Sequence, residues 1–238
     1  MKVLVIQHVS YESSGILAPY LGKSGHKVSH LRLYQPNARF SKDLLKNDLF
    51  VFMGGPMSVN EEEKFPFLIN ENRFILDLLD KNKAILGVCL GSQLLAKALG
   101  SKIYKAREKE IGWYDVDSTK AGLRDTCFKR LSRDVNGNLR VFHWHGETFD
   151  LPKNAVLLAG SKSCPNQAFR YGRKAYAVQF HLEMNRPLIN RWLKHGRKEI
   201  LENGFKPDQI DKESDKFLPD YQANAKVFFD TLIEKAAD

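Results

Sequence analysis

The stretch Ala84-Ile85-Leu86-Gly87-Val88-Cys89-Leu90-Gly91 constrains the fold more than any other part of the chain. A short apolar run ends in a cysteine with a glycine two residues before it and another two residues after it. A helix-period segment follows to Leu99, closed by Gly100. A buried strand that turns sharply into a helix leaves the residue at the apex exposed, and small neighbours let the backbone close up. This is the logic of a nucleophile elbow, here with sulfur in place of oxygen. A helix N-terminus also favours the thiolate form of a cysteine placed there. Taken alone, the pattern also suits a buried cysteine packed in the sheet, since free cysteine is among the most buried residue types.

The same alternation runs along the first hundred residues. Residues 1–7 read as a buried strand through Val3, Leu4, Val5 and Ile6, and a helix is predicted over 14–23 before Gly25. Strands are predicted over 27–33 and 48–53, the latter stopped by Gly54-Gly55-Pro56. A helix over 65–82 shows Phe67, Leu68, Phe74, Ile75, Leu78 and Leu79 at helical spacing. Strand–helix alternation implies βαβ units and a mostly parallel central sheet with helices on both faces, an α/β fold. The middle is richer in strand-like segments, at 102–105, 111–116, 140–143, 156–159 and 175–180, which predicts an antiparallel extension of the sheet. Beyond Arg186 the pattern turns helical, at 188–203 and 221–237. Residues 203–220 are polar, carry two prolines and read as a connector. No internal repeat or low-complexity tract interrupts this order.

Composition narrows the class. The chain has 238 residues, of which 43% are hydrophobic, enough for a packed core. No stretch of 18 or more apolar residues occurs, so no membrane span is expected. The start is apolar but short and lacks a small-residue cleavage site, so a cytoplasmic protein is expected. Cys89, Cys127 and Cys164 are the three cysteines. An odd set without C-x-x-C spacing argues against a disulfide framework or a zinc site, and no metal or cofactor is expected. The formal charge of +9 comes from 37 Lys and Arg against 28 Asp and Glu. The basic residues are scattered without interleaved aromatics, so a basic soluble surface is expected rather than a nucleic-acid partner.

A cysteine hydrolase needs a base, and the base needs an orienting partner. Val178-Gln179-Phe180-His181-Leu182-Glu183 offers both, because residues two apart on a strand point to one face. Glu183 would hold the ring of His181, and His181 would face Cys89. An exposed His/Glu pair at a strand end fits these six residues as well. Gly54-Gly55-Pro56 ends a strand expected beside the nucleophile strand, where a glycine lets a backbone N–H approach a substrate. The second donor of such a pair would be the N–H of Leu90.

Taken in order, these segments resemble the class I (triad) glutamine amidotransferases, most closely the glutaminase domain of GMP synthase and its stand-alone relatives. The similarity rests on Met53-Gly54-Gly55-Pro56-Met57-Ser58-Val59, on Gly87-Val88-Cys89-Leu90-Gly91-Ser92-Gln93-Leu94-Leu95-Ala96, on His145-Gly146-Glu147 and on Gln179-Phe180-His181-Leu182-Glu183. It implies Cys89 as nucleophile, His181 as base then acid, Glu183 as its orienting group, and Gly55 and Leu90 as the oxyanion hole. It further implies that Gln93 binds the substrate, and that His145, Gly146 and Glu147 lie in a loop contacting the substrate's α-amino acid end. Leu182 stands where the family usually has proline, although the His-to-Glu spacing is kept.

The resemblance implies residues 1–185 as the amidotransferase domain and 186–238 as a helical extension packed on it. A full GMP synthase also carries an ATP-binding domain with a Gly-rich loop. No such loop occurs here, and about 55 residues after Glu183 are too few for that domain. The expected substrate is glutamine or another small γ-glutamyl compound. Two activities stay open at this point. One is hydrolysis of glutamine through a Cys thioester, with ammonia passed to a separate synthetase. The other is a stand-alone γ-glutamyl peptidase or hydrolase.

Overall fold

The computed structural model describes residues 1–131 and 137–237, so the last residue of the expected extension, Asp238, lies outside the described residues. The strands are β1 (Lys2–Gln7), β2 (Lys27–Arg32), β3 (Leu49–Phe52), β4 (Ala84–Val88), β5 (Ile103–Ser118), β6 (Asn138–Phe149), β7 (Val156–Gly160), β8 (Ala168–Tyr171) and β9 (Ala175–Val178). The helices are α1 (Leu17–Lys23), α2 (Phe67–Asp80), α3 (Leu90–Ala98), α4 (Lys120–Arg124), α5 (Arg186–His195), α6 (Arg197–Glu202) and α7 (Pro207–Ala237). The strands form a sheet in the order β2-β1-β3-β4-β9-β8-β7-β5-β6. From β2 to β9 neighbours run parallel, and from β9 to β6 they run antiparallel. The α/β architecture and the antiparallel extension therefore match the expectation.

Alternation along the parallel strands feeds two cores. Val3, Val5, Leu49, Val51, Leu86 and Val88 face one cluster with α1, α5 and α7. Leu4, Ile6, Phe50, Phe52 and Ile85 face the other with α2 and α3. Burial on both faces is why these strands read as unbroken apolar runs rather than as alternating ones.

Four expectations are corrected. The strands expected at 102–105 and 111–116 are one strand, β5, whose pairing with β6 loses register between Lys105 and Glu110. The strand expected over 175–180 stops at Val178, so His181 and Glu183 lie beyond it, and an isolated bridge joins His181 to Phe142. The helix expected over 188–203 is broken at Gly196 into α5 and α6. A side chain at Gly196 would overlap the Trp144 ring.

The fourth correction is the largest. The connector expected over 203–220 is mostly the first half of α7, a helix of 31 residues with Pro219 inside it. Pro207 stands at its start, where the missing N–H costs nothing. Ile210, Ser214, Leu218, Tyr221, Ala225, Phe228 and Leu232 recur every three or four residues and are all buried. A proline in a helix interior costs about 3 kcal/mol. Each fully buried Leu, Ile or Phe side chain returns about 1.5–3 kcal/mol, so the stripe outweighs the proline.

Since α7 completes the cluster on one sheet face, removing residues 221–238 should leave Tyr176, Val141 and Leu188 facing water. The expected product is insoluble or lacks a cooperative thermal transition. A soluble, cooperatively melting and fully active truncation would show that the helix is peripheral.

Candidate active site

The site begins at the elbow. Cys89 caps α3 with φ 52° and ψ −107°, a left-handed conformation that is uncommon for a residue with a side chain. Glycine on both sides makes this possible by close approach. A side chain on Gly87 would strike the carbonyl of Gly91, and one on Gly91 would strike the carbonyl of Phe52 at the end of β3. The backbone N–H of Cys89 donates to the Val178 carbonyl at 2.9 Å, tying the elbow to β9. The Cys89 sulfur lies 3.7 Å from the Trp144 carbonyl and 3.8 Å from Nε2 of Gln179.

His181 is held from several directions. Its Nδ1 meets Oε1 of Glu183 at 2.8 Å, and both side chains are almost wholly buried. Its N–H donates to the Phe142 carbonyl at 2.9 Å, and its carbonyl accepts from the Tyr221 hydroxyl of α7. The ring stands edge-on to Trp192, with centroids 4.7 Å apart. Among the described residues Nε2 is buried without a hydrogen-bond partner, which leaves it as the position for proton transfer. Burial alone would push the imidazole pKa down. Glu183 and the Cys89 sulfur outweigh it and hold the ring well above the ordinary histidine value.

Gly54 and Gly55 lie against the same centre. A Cβ on Gly55 would sit 2.7 Å from Cδ2 of Leu90, so the glycine and the residue after the cysteine abut. Leu90 is the first residue of α3, where helix N–H groups have no acceptor within the helix. His8 fixes the Gly54 turn: its Nδ1 meets the Gly54 carbonyl at 3.0 Å and its Nε2 meets Glu71 at 3.0 Å, with both side chains buried. Both ring nitrogens face acceptors. Burial pushes the pKa of His8 down, but the Glu71 carboxylate outweighs this and raises it.

Gln93 and the 145–147 segment are brought to the same cleft, but not as a free loop. Residues 145–147 belong to strand β6, and Nε2 of Gln93 donates to the Glu147 carbonyl at 3.2 Å. His145 turns into the protein, its Nε2 2.9 Å from Oε2 of Glu110. Glu110, His143 and His145 are the one trio of metal-ligand type among the described residues. The Glu110 oxygens are already engaged by Ser163 at 2.6 Å, Gln167 at 2.7 Å and His145, so the trio reads as a bracing network under the cleft. Burial, joined by His145 and His181, outweighs the pull of Glu110 on His143 and pushes its pKa down to about 3, so the ring is neutral. At Glu110 burial pushes the pKa up, but the hydrogen bonds with His145 and Ser163 work against it, and the carboxyl is held down at about 2.

Cys89, His181, Gly55, Gln93, His145, Gly146 and Glu147 all line one cleft of about 1040 Å³, while Leu90 and Glu183 lie just behind its wall. Sequence reasoning did not find Glu12, Trp144 and Trp192 in that wall, nor His8, Glu110 and Tyr221 behind it. Of these, Trp144 immediately precedes the His145-Gly146-Glu147 motif and His8 follows the first buried strand, while the others lie beside no motif.

Comparison with known proteins identifies the family. A family model described as glutamine amidotransferase class-I matches residues 10–204. The chain is 32% identical over 205 residues to the glutamine amidotransferase-like protein YfeJ of Salmonella typhimurium, covering 85% of this chain and 84% of that one. It is 28% identical to gamma-glutamyl peptidase 4 of Arabidopsis thaliana, over 73% of this chain and 68% of that one. It is 35% identical to a glutamine-hydrolyzing GMP synthase subunit of Pyrococcus abyssi, over 56% of this chain and 65% of that one. A crystal structure of a glutamine amidotransferase from Thermotoga maritima superposes with a TM-score of 0.87 at 32% identity, covering 98% of each chain. Among the described residues no helix is long and apolar enough to cross a membrane.

Two outcomes are expected from the supports around the triad. Tyr221→Phe removes the hydroxyl that holds the His181 carbonyl, at about 1 kcal/mol. Unfolding should occur a few degrees lower, and any triad-dependent rate should fall roughly fivefold; unchanged values would show the contact to be idle. The pKa of His8 is raised in the fold, so its contribution to stability is full below its unfolded value of about 6.5 and is lost as pH rises through the raised folded value. Thermal unfolding of His8→Gln should therefore differ most from the native protein below about pH 6.5, and the gap should narrow at higher pH. A gap that widens with pH would contradict the assignment. With the fold, the elbow and these matches in agreement, the chain belongs to the class I glutamine amidotransferase family.

Proposed function

We propose that the protein hydrolyses a γ-glutamyl amide, that of glutamine first, through Cys89, His181 and Glu183. The observation that carries this reading is the meeting of a strained cysteine at a helix N-terminus with a buried, carboxylate-held imidazole at one cleft. Cys89 attacks the side-chain amide carbon, and the negative oxygen that forms is received by the N–H groups of Gly55 and Leu90. His181 passes a proton to the leaving nitrogen as the carbon–nitrogen bond breaks, which leaves a thioester. Water, deprotonated by His181, then cleaves the thioester to glutamate. Glu183 keeps the imidazole in place and stabilises its charge. Gln93, with the segment His145-Gly146-Glu147, positions the amino-acid end of the substrate. The ammonia would pass to a separate synthetase, as the resemblance to one subunit of a GMP synthase suggests.

A second reading has its own support. At about 1040 Å³ the cleft reaches the upper end of the 300–1,000 Å³ usual for small-molecule sites and continues past Cys89 to Lys105 and Asn203. An amide alone would leave most of it empty. A larger γ-glutamyl compound, as the likeness to a gamma-glutamyl peptidase suggests, would fill it.

Cys89→Ala should lower hydrolysis of any γ-glutamyl substrate by about 10⁴-fold or more, while Cys127→Ala and Cys164→Ala should not. His181→Ala should be nearly as damaging, and Glu183→Gln milder. A glutamine analogue bearing a diazo-ketone should label Cys89 alone, as read by peptide mass mapping. Near-native turnover by the Cys89 variant would overturn the reading. Turnover of glutamine, γ-glutamyl dipeptides and glutathione by pure protein separates the two readings. Slow glutamine hydrolysis beside fast peptide hydrolysis would favour the second.

A further inference from the structure

The cleft holds a carboxylate that the triad does not use. Glu12 lies in the loop between β1 and α1, and that loop is fastened beside the triad by the Ile16 N–H, which donates to the Glu183 carbonyl at 2.8 Å. Trp192 pins the preceding residue through its Nε1, which donates to the Tyr11 carbonyl at 3.1 Å. A Cβ on Gly54 would find Oε2 of Glu12 at 2.6 Å, Cε1 of His181 at 3.1 Å and Cβ of Cys89 at 3.7 Å. The three side chains thus border one small gap over Gly54. Glu12 lines the cleft and has no hydrogen bond or ion pair with any described residue.

The position of His181 fixes which part of a substrate Glu12 meets. The base of such a triad hands its proton to the departing nitrogen, so the leaving group must pass beside that ring. We propose that Glu12 is a charge filter on the leaving-group side of the site: it admits ammonia and neutral or cationic amines, and it rejects leaving groups that carry a carboxylate next to the scissile nitrogen. The inference rests on the reading of the site as a γ-glutamyl amide hydrolase. It narrows the substrate to glutamine and γ-glutamyl amines, and it disfavours γ-glutamyl α-amino acids. An α-carboxylate two bonds from the leaving nitrogen would come close to a half-buried side chain that carries the same charge. The repulsion of two such charges at a partly buried site is large enough to decide between substrates.

The groups around Glu12 bear on its charge. His8 and His181 favour its anion, and Glu183 opposes it. On the far wall Lys109 is taken up by Glu199 at 2.6 Å, while Lys105 and Arg107 stand at the exposed end of the cleft. Burial is the largest influence and pushes the carboxyl up to about 7, against the pull of His181 and His8. Glu12 therefore gains its charge as pH rises through neutrality, and discrimination should strengthen with it.

The test compares kcat/KM for glutamine, γ-glutamylethylamide and γ-glutamylglycine in the native protein and in Glu12→Gln, which keeps size and removes the charge. The native protein should favour glutamine and the ethylamide over γ-glutamylglycine. Glu12→Gln should shift the glutamine-to-γ-glutamylglycine ratio toward the dipeptide by about tenfold or more. In the native protein the same ratio should fall between pH 8.5 and 5.5 as Glu12 is protonated. This second measurement needs no variant, and the ratio cancels the titration of the shared triad. A ratio that stays constant with pH and is unmoved by the substitution would overturn the filter while leaving the hydrolase reading intact. No turnover of any of the three, with no diazo-ketone labelling of Cys89, would sink the hydrolase reading and the filter with it.

Discussion

The seat of Gly91 against the Phe52 carbonyl sets the position of nearly every atom in the first half of the site. It brings the start of α3 into contact with the end of β3, and the tight turn between β4 and α3 holds Cys89 at φ 52°. A residue held there costs on the order of 1–3 kcal/mol, and such strain persists only where the surroundings over-determine it. Here the burial of Leu90, Leu94 and Leu95 against Phe50 and Phe52 supplies the compensation. The same end of β3 runs straight on into Gly54 and Gly55. One packing contact between a strand end and a helix start therefore places the thiol, the Gly55 turn and Leu90 together.

The second half of the site is assembled from parts far apart in sequence. The segment after β9 leaves the sheet and is caught between the Phe142 carbonyl on one side and α7 on the other. Nε2 of Gln222 holds the Met184 carbonyl at 2.9 Å, and Ile16 holds that of Glu183. These contacts do for the His–Glu pair what a strand would have done. The charges at His8, Glu71, Glu110, His181 and Glu183 are all buried. Buried ion pairs are poor sources of stability because desolvation offsets their attraction. Their concentration around one cleft is better explained by what they fix: the tautomer of His181, the turn at Gly54 and the strand under His145.

What was legible in the sequence follows from which forces are local. The elbow, the buried strands and α2 and α3 could be read because their periodicity and glycine positions act within a few residues. The residues Cys89, His181 and Glu183 were found as types at a spacing, and the structure brings them together. The last pair meet without sharing a strand, because β9 ends at Val178. The first half of α7 was misread because two prolines and a polar surface outweighed a buried stripe from Ile210 to Leu232 that was present in the sequence all along. β8 was missed because Ala168-Phe169-Arg170-Tyr171 is short, and its strand character comes from the neighbours on either side. Glu12 was invisible for a different reason. A lone glutamate in a loop carries no local signal, and only the fold places it beside His181.

The cleft divides into a fixed wall and a loosely fastened one, and the division follows from the kinds of contact that hold each. The wall bearing Cys89, Gly55 and His181 is tied by buried backbone hydrogen bonds and by apolar packing on both sheet faces. The opposite wall comes from the stretch between Lys105 and Glu110, where β5 loses its register with β6, and from the joint between α5 and α6 at Gly196. These are joined across the opening by the ion pair of Lys109 with Glu199, both about two-fifths exposed, and by Nε1 of Trp144 donating to Glu199 at 3.1 Å. An exposed ion pair contributes at most about 1 kcal/mol, and less in salt. A strand that loses its register re-aims its side chains, here toward the cleft. Substitutions in this wall can therefore change what the cleft admits without moving the nucleophile or its base, whereas substitutions at the elbow cannot change one without the other. Such a division lets the lining of the cleft vary while the elbow and its base stay fixed.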